Sequence, residues 1–246
     1  MRLENKTAIV TGAASGFGAG IARRFAAEGA QVMIADINAD AAQALAAELG
    51  ALGCAVNVAN DASVAAMAQA ALDAWGRIDI LVNNAGVTHL PGPMEGIPEE
   101  DFDRVLAVNA KSVYLTARHI LPAMKRAGSG AILNVASTAG VSPRPRLSWY
   151  NASKGWMITA TRAMAVELAP EGIRVNAINP VAGETPLLKS FMGEDTPEIR
   201  AKFLSTIPLG RFSTPEDMAN AALFLCSDEA SMITGVAMEV DGGRCI

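Results

Sequence analysis

A tyrosine and a lysine stand four positions apart, at Tyr150 and Lys154. On a helix this spacing places both side chains on one face, one turn from each other. A nearby ammonium group favours the phenolate and lowers a phenol pKa that is ordinarily about 10. The pair would then supply a proton donor and acceptor near neutral pH. Beside a bound dinucleotide, such a pair could reduce a carbonyl or oxidise an alcohol.

A glycine-rich segment at residues 11–18 could bind that dinucleotide. It follows a β-branched run and precedes an alanine-rich stretch, as the first strand-to-helix turn of a dinucleotide fold does. The GxxxGxG spacing differs from the usual GxGxxG, so an ordinary glycine-rich turn is the alternative. Glycines let the backbone approach a pyrophosphate at a helix N-terminus. The predicted contacts are Gly12, Ser15, Gly16, Phe17 and Gly18.

An acidic residue, Asp36, ends the second predicted strand. A carboxylate at this distance from the turn can bond the adenosine ribose hydroxyls and repels the 2′-phosphate of NADP. Ala14 and Ile37 supply no compensating cation. The sequence therefore predicts NAD as the cofactor. The alternative is that Asp36 only caps the next helix.

Short β-branched runs alternate with longer alanine-rich stretches along the whole chain. This rhythm predicts a single α/β domain over residues 1–246, a Rossmann-type doubly wound parallel sheet of about seven strands with helices on both faces. The predicted strands are 6–11, 31–35, 54–58, 78–83, 130–136, 173–178 and 236–240. The predicted helices are 17–28, 39–50, 62–75, 99–126, 149–169 and 215–227, with shorter pieces in 186–206.

Composition narrows the class of protein. Apolar residues make up 51% of the 246 residues and charged residues 18%, which is enough for a sizeable core. The net charge of −5 argues against nucleic acid as a partner. We expect no signal peptide and no membrane span. Cys54, Cys226 and Cys245 lack metal-ligand spacing, which predicts a reducing, cytoplasmic location and no metal site.

Further motifs stand in register with the turn and the Tyr-Lys pair. Asn83–Gly86 reads NNAG, Asn109 follows a valine, Ser137 ends the run Asn-Val-Ala-Ser, and Pro180 and Thr185 frame a later loop. With these motifs the chain resembles the short-chain dehydrogenase/reductase family over essentially its whole length. The form Gly183–Pro186 is similar to one branch of that family.

The resemblance implies roles for the four predicted catalytic residues. Tyr150 would be the acid/base, and Lys154 would lower its pKa and bond the nicotinamide ribose. Ser137 would orient the reacting oxygen, and Asn109 would hold a water that relays protons. Without these neighbours, Ser137 would be read as a polar strand-end residue and Asn109 as a helix-interior residue bonding backbone.

The resemblance also extends the cofactor site and implies an assembly. The further predicted contacts are Asn57, Val58, Asn84, Ala85, Gly86, Pro180, Gly183 and Thr185, together with Tyr150 and Lys154. Asn57 replaces the family's usual aspartate, and it can still accept a hydrogen bond from adenine. Val181 replaces a glycine, so we expect the loop to differ there. The family usually forms homotetramers, in which the helices near 103–126 and 151–169 would pair.

The substrate pocket should be closed by a mobile lid over residues 184–212, which has little core of its own. Its apolar residues, Leu187, Leu188, Phe191 and Met192, suit a small or medium carbonyl compound. His89 could face the pocket or solvent. Arg144 and Arg146 could clamp an anionic group, although we favour ordinary surface arginines.

Two other functions remain open from the sequence. A cofactor-binding regulator could use this fold without turnover, but it would not need Tyr150 and Lys154. A 3-oxoacyl thioester reductase would commonly prefer NADPH and need a basic surface for its carrier protein. Asp36 and the net negative charge of the chain disfavour that function.

Overall fold

The computed structural model describes the whole chain, residues Met1–Ile246. Seven parallel strands form one sheet in the order β3-β2-β1-β4-β5-β6-β7. The strands are β1 (Thr7–Thr11), β2 (Gln31–Asp36), β3 (Leu52–Ala55), β4 (Ile80–Asn83), β5 (Gly130–Val135), β6 (Ile173–Pro180) and β7 (Ala237–Val240). This arrangement confirms the predicted doubly wound sheet.

Nine α-helices connect or flank these strands. They are α1 (Gly16–Ala27), α2 (Ala39–Leu49), α3 (Asp61–Trp75), α4 (Glu99–Leu106), α5 (Ser112–Ala127), α6 (Ser148–Leu168), α7 (Leu188–Met192), α8 (Pro197–Leu204) and α9 (Pro215–Cys226). None of them is long and apolar enough to cross a membrane.

The strand sequences are mostly apolar because both faces of the sheet are covered. In β1, Ala8 and Val10 pack into a core with α1, α2 and α9, while Ile9 points the other way into a core with α3, α5 and α6. Successive strand residues thus serve opposite cores, as the two-residue period of a strand requires.

Two elements differ from the prediction by more than two residues. The third strand occupies Leu52–Ala55 rather than 54–58, since its register is set by pairing with β2, in which Met33 lies opposite Leu52. The predicted helix 99–126 is divided into α4 and α5 by a π-helical turn at Ala107–Lys111. Such turns often mark functional positions, and Asn109 lies in this one.

The segment 184–212 has more internal packing than the sequence predicted. Leu188, Met192, Ile207 and Phe212 are buried with Val181 in a small apolar cluster of their own. Val181 does not adopt a positive φ, so its side chain is accommodated by packing into this cluster. The segment lies beyond the carboxyl ends of the strands, where parallel sheets bind ligands.

Candidate active site

The predicted acid/base pair lies at the start of α6. Tyr150 is 5% exposed and Lys154 is 4% exposed. The Lys154 Nζ lies 5.9 Å from the centroid of the Tyr150 ring and donates a 2.8 Å hydrogen bond to the Val135 carbonyl oxygen at the end of β5. The helix and the strand end therefore fix the ammonium group beside the phenol.

Burial dominates the protonation of both groups. It raises the pKa of Tyr150 to about 12. Two smaller effects oppose that rise: a hydrogen bond with the Ser137 side chain and the positive charge of Arg144. Burial also lowers the pKa of Lys154 to about 8. The sequence predicted a lowered phenol pKa with Lys154 as the cause. In the structure the phenol pKa is raised, and Arg144 is the cation that acts against the rise.

Asn109 is held in the π-helical turn with no exposed surface. Its side chain accepts a hydrogen bond from the Val87 amide and donates to the Val87 carbonyl, both at 2.9 Å. It also donates to Ser153 Oγ at 3.0 Å, and Ser153 donates to the Tyr150 carbonyl at 2.7 Å. These contacts tie the loop after β4 to α6. The water relay predicted for Asn109 stays a prediction.

The two asparagines of NNAG make different structural contacts. Asn83 Nδ2 donates to Asn134 Oδ1 at 2.9 Å, a buried bond between β4 and β5. Asn84 Nδ2 donates to the carbonyls of Thr11 and Gly12 at 2.8 and 2.9 Å. The second asparagine therefore holds the glycine-rich turn against the end of β4.

The glycine-rich turn has the shape of a phosphate cradle. Gly12 and Gly16 have φ values of +61° and +54°, which favour glycine. A Cβ on Gly18 would lie 2.2 Å from the Gly12 carbonyl oxygen. Ser15 caps α1 without a side-chain hydrogen bond, so its side chain leaves the first amide groups of the helix free for an anion. These observations fit a dinucleotide pyrophosphate.

Asp36 lies beside this turn at the end of β2. Its carboxylate accepts hydrogen bonds from the Ala14 and Asn38 amides, each at 3.0 Å. It is fixed between the turn and the start of α2, where Asn38, rather than Asp36, caps the helix. The alternative role of Asp36 as the helix cap is therefore wrong.

One cavity of about 450 Å³ connects these groups. It contains all but two of the predicted site residues, Gly18 and Asn109, which pack behind its wall. The predicted residues that line it are Gly12, Ser15, Gly16, Phe17, Asp36, Asn57, Val58, Asn84, Ala85, Gly86, Ser137, Tyr150, Lys154, Pro180, Gly183 and Thr185.

The three basic residues considered for substrate binding have different positions. His89 does not line the cavity and is 1% exposed, with its Nδ1 2.8 Å from the Leu90 carbonyl; neither predicted position is correct. Arg146 is exposed and has a φ of +68°. Arg144 lines the cavity, and its guanidinium carbon lies 4.4 Å from the centroid of the Phe203 ring. The preference for a surface role was wrong for Arg144.

The segment 184–212 contributes two aromatic side chains to the lining of the cavity. Phe191 on α7 lies 5.1 Å from the Tyr150 ring, measured between centroids. Phe203 on α8 contacts Arg144, a role that the sequence did not indicate. Ala139 and Leu147 complete an apolar wall around Tyr150. The cavity thus has a glycine-lined end and an aromatic end, with Tyr150 in the latter.

Comparison with known proteins is consistent with this geometry. A family model described as enoyl-(acyl carrier protein) reductase matches residues 12–244. The 4-formylbenzenesulfonate dehydrogenase of Comamonas testosteroni is 52% identical, over 100% of both chains. The crystal structure of 3-ketoacyl-(acyl-carrier-protein) reductase from Brucella melitensis complexed with NADH is 52% identical, with a TM-score of 0.94 over 99% of this chain and 100% of that one. A 7α-hydroxysteroid dehydrogenase complexed with NADH and 7-oxo glycochenodeoxycholic acid is 40% identical, with a TM-score of 0.93 over 98% and 95%.

The fold and the Ser-Tyr-Lys constellation define a dinucleotide-dependent oxidoreductase. The chain belongs to the short-chain dehydrogenase/reductase family. Its relatives are dehydrogenases and reductases that act on hydroxyl and carbonyl groups. The predicted family, fold and enzyme class are confirmed.

Proposed function

We propose that the chain uses NAD(H) to interconvert a small or medium alcohol and its carbonyl compound, with an apolar or aromatic body on the substrate. The observation that carries this proposal is the single cavity that joins the glycine-rich turn and Asp36 to Ser137, Tyr150 and Lys154. Two similar proteins have been solved with NADH, which supports the choice of cofactor.

The cofactor site divides into parts with separate tasks. The turn at 12–18 and the α1 N-terminus would hold the pyrophosphate, because they offer backbone amides and a favourable dipole. Asp36 would bond the adenosine ribose, and Asn57 and Val58 would border the adenine. Asn84, Ala85 and Gly86 line the floor, while Pro180, Gly183 and Thr185 border the nicotinamide end. When bound, the cofactor supplies or accepts the hydride.

Tyr150 and Ser137 act on the reacting oxygen. For carbonyl reduction, Tyr150 Oη donates a proton to the oxygen and Ser137 donates a hydrogen bond to the same atom. A phenol with a raised pKa stays protonated at neutral pH, which suits the donor role. For alcohol oxidation the proton moves the other way, and the positive charge of Arg144 stabilises the phenolate. Asn109 is proposed to hold the water that returns the proton.

The segment 184–212 is proposed to act as the lid of the substrate end. Phe191 and Phe203 come from its two helices and contact Tyr150 and Arg144. Closure would exclude water from the reacting oxygen and so strengthen the hydrogen bonds made there.

The test is steady-state turnover of a carbonyl and alcohol panel with NADH and NADPH in parallel. The proposal predicts activity that is higher with NADH and is lost in Tyr150→Phe. The panel should include an acetoacetyl thioester, because one similar structure is a 3-ketoacyl reductase. Preference for that thioester with NADPH would favour the acyl reductase instead. Binding of NADH without turnover of any panel compound would favour a regulator.

We also propose a homotetramer in the cytoplasm. Helices α5 and α6 carry exposed Tyr114, Trp156 and Val166, of which Val166 is 80% exposed. Exposed apolar residues on these two helices suit the helix pairing expected from the family. The three free thiols suit a reducing compartment. Sedimentation of the wild type beside Trp156→Glu and Val166→Glu variants tests the assembly.

A further inference from the structure

Arg144 lies at the substrate end of the cavity with an unusual lack of partners. Its Nη2 is sealed from solvent and makes no hydrogen bond within the protein. Its side-chain contact is with the face of Phe203, at 4.4 Å. A guanidinium group has five N–H donors, and leaving one buried and unsatisfied costs stability.

No acidic side chain neutralises this guanidinium. Arg144 takes part in none of the ion pairs of the chain. Burial and the charge of the nearby Arg244 lower its pKa, while the groups that act in the opposite sense are Tyr150 and Cys245. Arg244 also keeps a buried Nε without a partner, and its Nη1 donates to Ser142 Oγ at 3.3 Å. Arg144 is therefore a cation without an ion-pair partner, and the neighbouring charge that acts on it most is another cation, Arg244.

The surroundings of Arg144 are built to hold it in place. Asn151 Nδ2, on α6 next to Tyr150, donates a 2.7 Å hydrogen bond to the Arg144 carbonyl. Phe203 covers the flat face of the guanidinium, which leaves its edge for a planar or tetrahedral anion. The glycine-rich cradle lies at the other end of the cavity, so the cofactor phosphates do not supply that anion.

We propose that Arg144 binds an anionic group, a carboxylate or a sulfonate, on the substrate of this enzyme, and so sets its specificity. This inference rests on the proposed function, because it places the anion on the compound that Tyr150 protonates. The substrate would then carry the carbonyl at Tyr150, an apolar body against Phe191 and Leu147, and the anion at Arg144. A charge-assisted bidentate contact is the strong, directional interaction that arginine makes with such groups.

The experiment compares 4-formylbenzoate with its methyl ester, which has the same aromatic aldehyde but no charge. For the wild type with NADH, we expect a kcat/KM for the anion about tenfold or more above that for the ester. Arg144→Gln should lower this ratio by about tenfold to a hundredfold, mainly through the KM of the anion. Arg144→Lys should restore part of it. Arg146→Gln is the matched control, since Arg146 is an exposed neighbour outside the cavity, and it should retain the wild-type ratio.

Equal efficiency for anion and ester in the wild type would overturn the inference. So would an unchanged ratio in Arg144→Gln, or the same loss in Arg146→Gln. If Arg144→Gln does not fold, the ratio of kcat/KM for the anion to that for the ester, measured in the wild type and in Arg144→Lys, tests the inference instead. Calorimetry of 4-carboxybenzyl alcohol and its methyl ester with the protein and NADH separates this inference from the proposed function. Tight, Arg144-dependent binding of the anion in this complex, together with no turnover of 4-formylbenzoate by NADH, would support the anion site while refuting the reaction. Equal binding of the anion and the ester would refute the site.

Discussion

The ring of Phe191 lies 5.1 Å from the ring of Tyr150, with their planes inclined at 64°. One ring belongs to α7 in the segment 184–212 and the other to α6, so the proposed lid directly contacts the proposed acid/base. An edge-to-face pair contributes about 0.5–1.5 kcal/mol beyond its buried area. Such a contact is weak enough to break at each turnover. Replacement of Phe191 is therefore expected to change both the closure of the proposed lid and the affinity for the substrate.

The lid prediction concerns order and affinity together. NADH with a product alcohol should slow amide exchange across 184–212 while leaving β5 unchanged, because ligand contacts add to a small apolar cluster. Phe191→Ala should raise the KM for aromatic aldehydes several-fold. Leu209→Ala is the control, since Leu209 lies in the same segment but is 72% exposed. Unchanged exchange across the segment would argue against a lid.

Replacement of the phenol tests the chemistry. Tyr150→Phe removes one hydroxyl from a residue packed against Ala139 and Leu147, so the fold and NADH binding should remain. Turnover should fall about 10²- to 10⁴-fold, since the proton donor is lost. The control is Tyr114→Phe, which changes the other tyrosine of the chain, exposed on α5. Near-normal turnover by a folded Tyr150→Phe variant would refute the assignment.

The sequence predicted those parts of the site that depend on local motifs. The glycine turn, NNAG and the Tyr-Lys pair sit at the ends of strands or the start of a helix, and a parallel sheet brings such ends together. The residues of these motifs could therefore be predicted to lie together, and they line the cavity. The exact third strand was missed because pairing with β2, rather than side-chain preference, sets its register.

The position of Arg144 in the cavity could not be predicted from the neighbouring sequence. An arginine between prolines in a loop resembles a surface residue, and its burial depends on Phe203, which comes from a distant part of the chain. The pKa of Tyr150 was missed for a related reason. Spacing showed that Lys154 is near, but burial of the phenol depends on Leu147, Ala139 and Phe191, and it outweighs the nearby charges.

Cofactor choice should depend on one carboxylate. Asp36→Ala should lower the ratio of NADH to NADPH efficiency by about tenfold or more, because the 2′-phosphate no longer meets a negative charge. Asp40→Ala removes an exposed carboxylate from the first turn of α2 and serves as the control. The prediction fails if the wild type uses both cofactors equally or if the two variants behave alike.

The buried lysine predicts a pH dependence of stability. Burial lowers the pKa of Lys154 from 10.5 to about 8, so between these values the folded chain has lost a proton that the unfolded chain still holds. The free energy of unfolding therefore rises with pH across this window, and the contribution is absent below about pH 8. The interval corresponds to about 3 kcal/mol as an upper value.

The measurement is urea unfolding of the wild type and of Lys154→Met between pH 7.5 and 10. The methionine variant carries no buried charge, so it should have its greatest relative stability at the lower pH. The difference between the two proteins should move in favour of the wild type as the pH rises. Tyr150 is present in both and cancels from the comparison. Lys125→Met, which removes an exposed lysine, measures the background of losing a lysine. A wild-type advantage that stays constant or shrinks with rising pH would show that the pKa of Lys154 is not lowered in the folded chain.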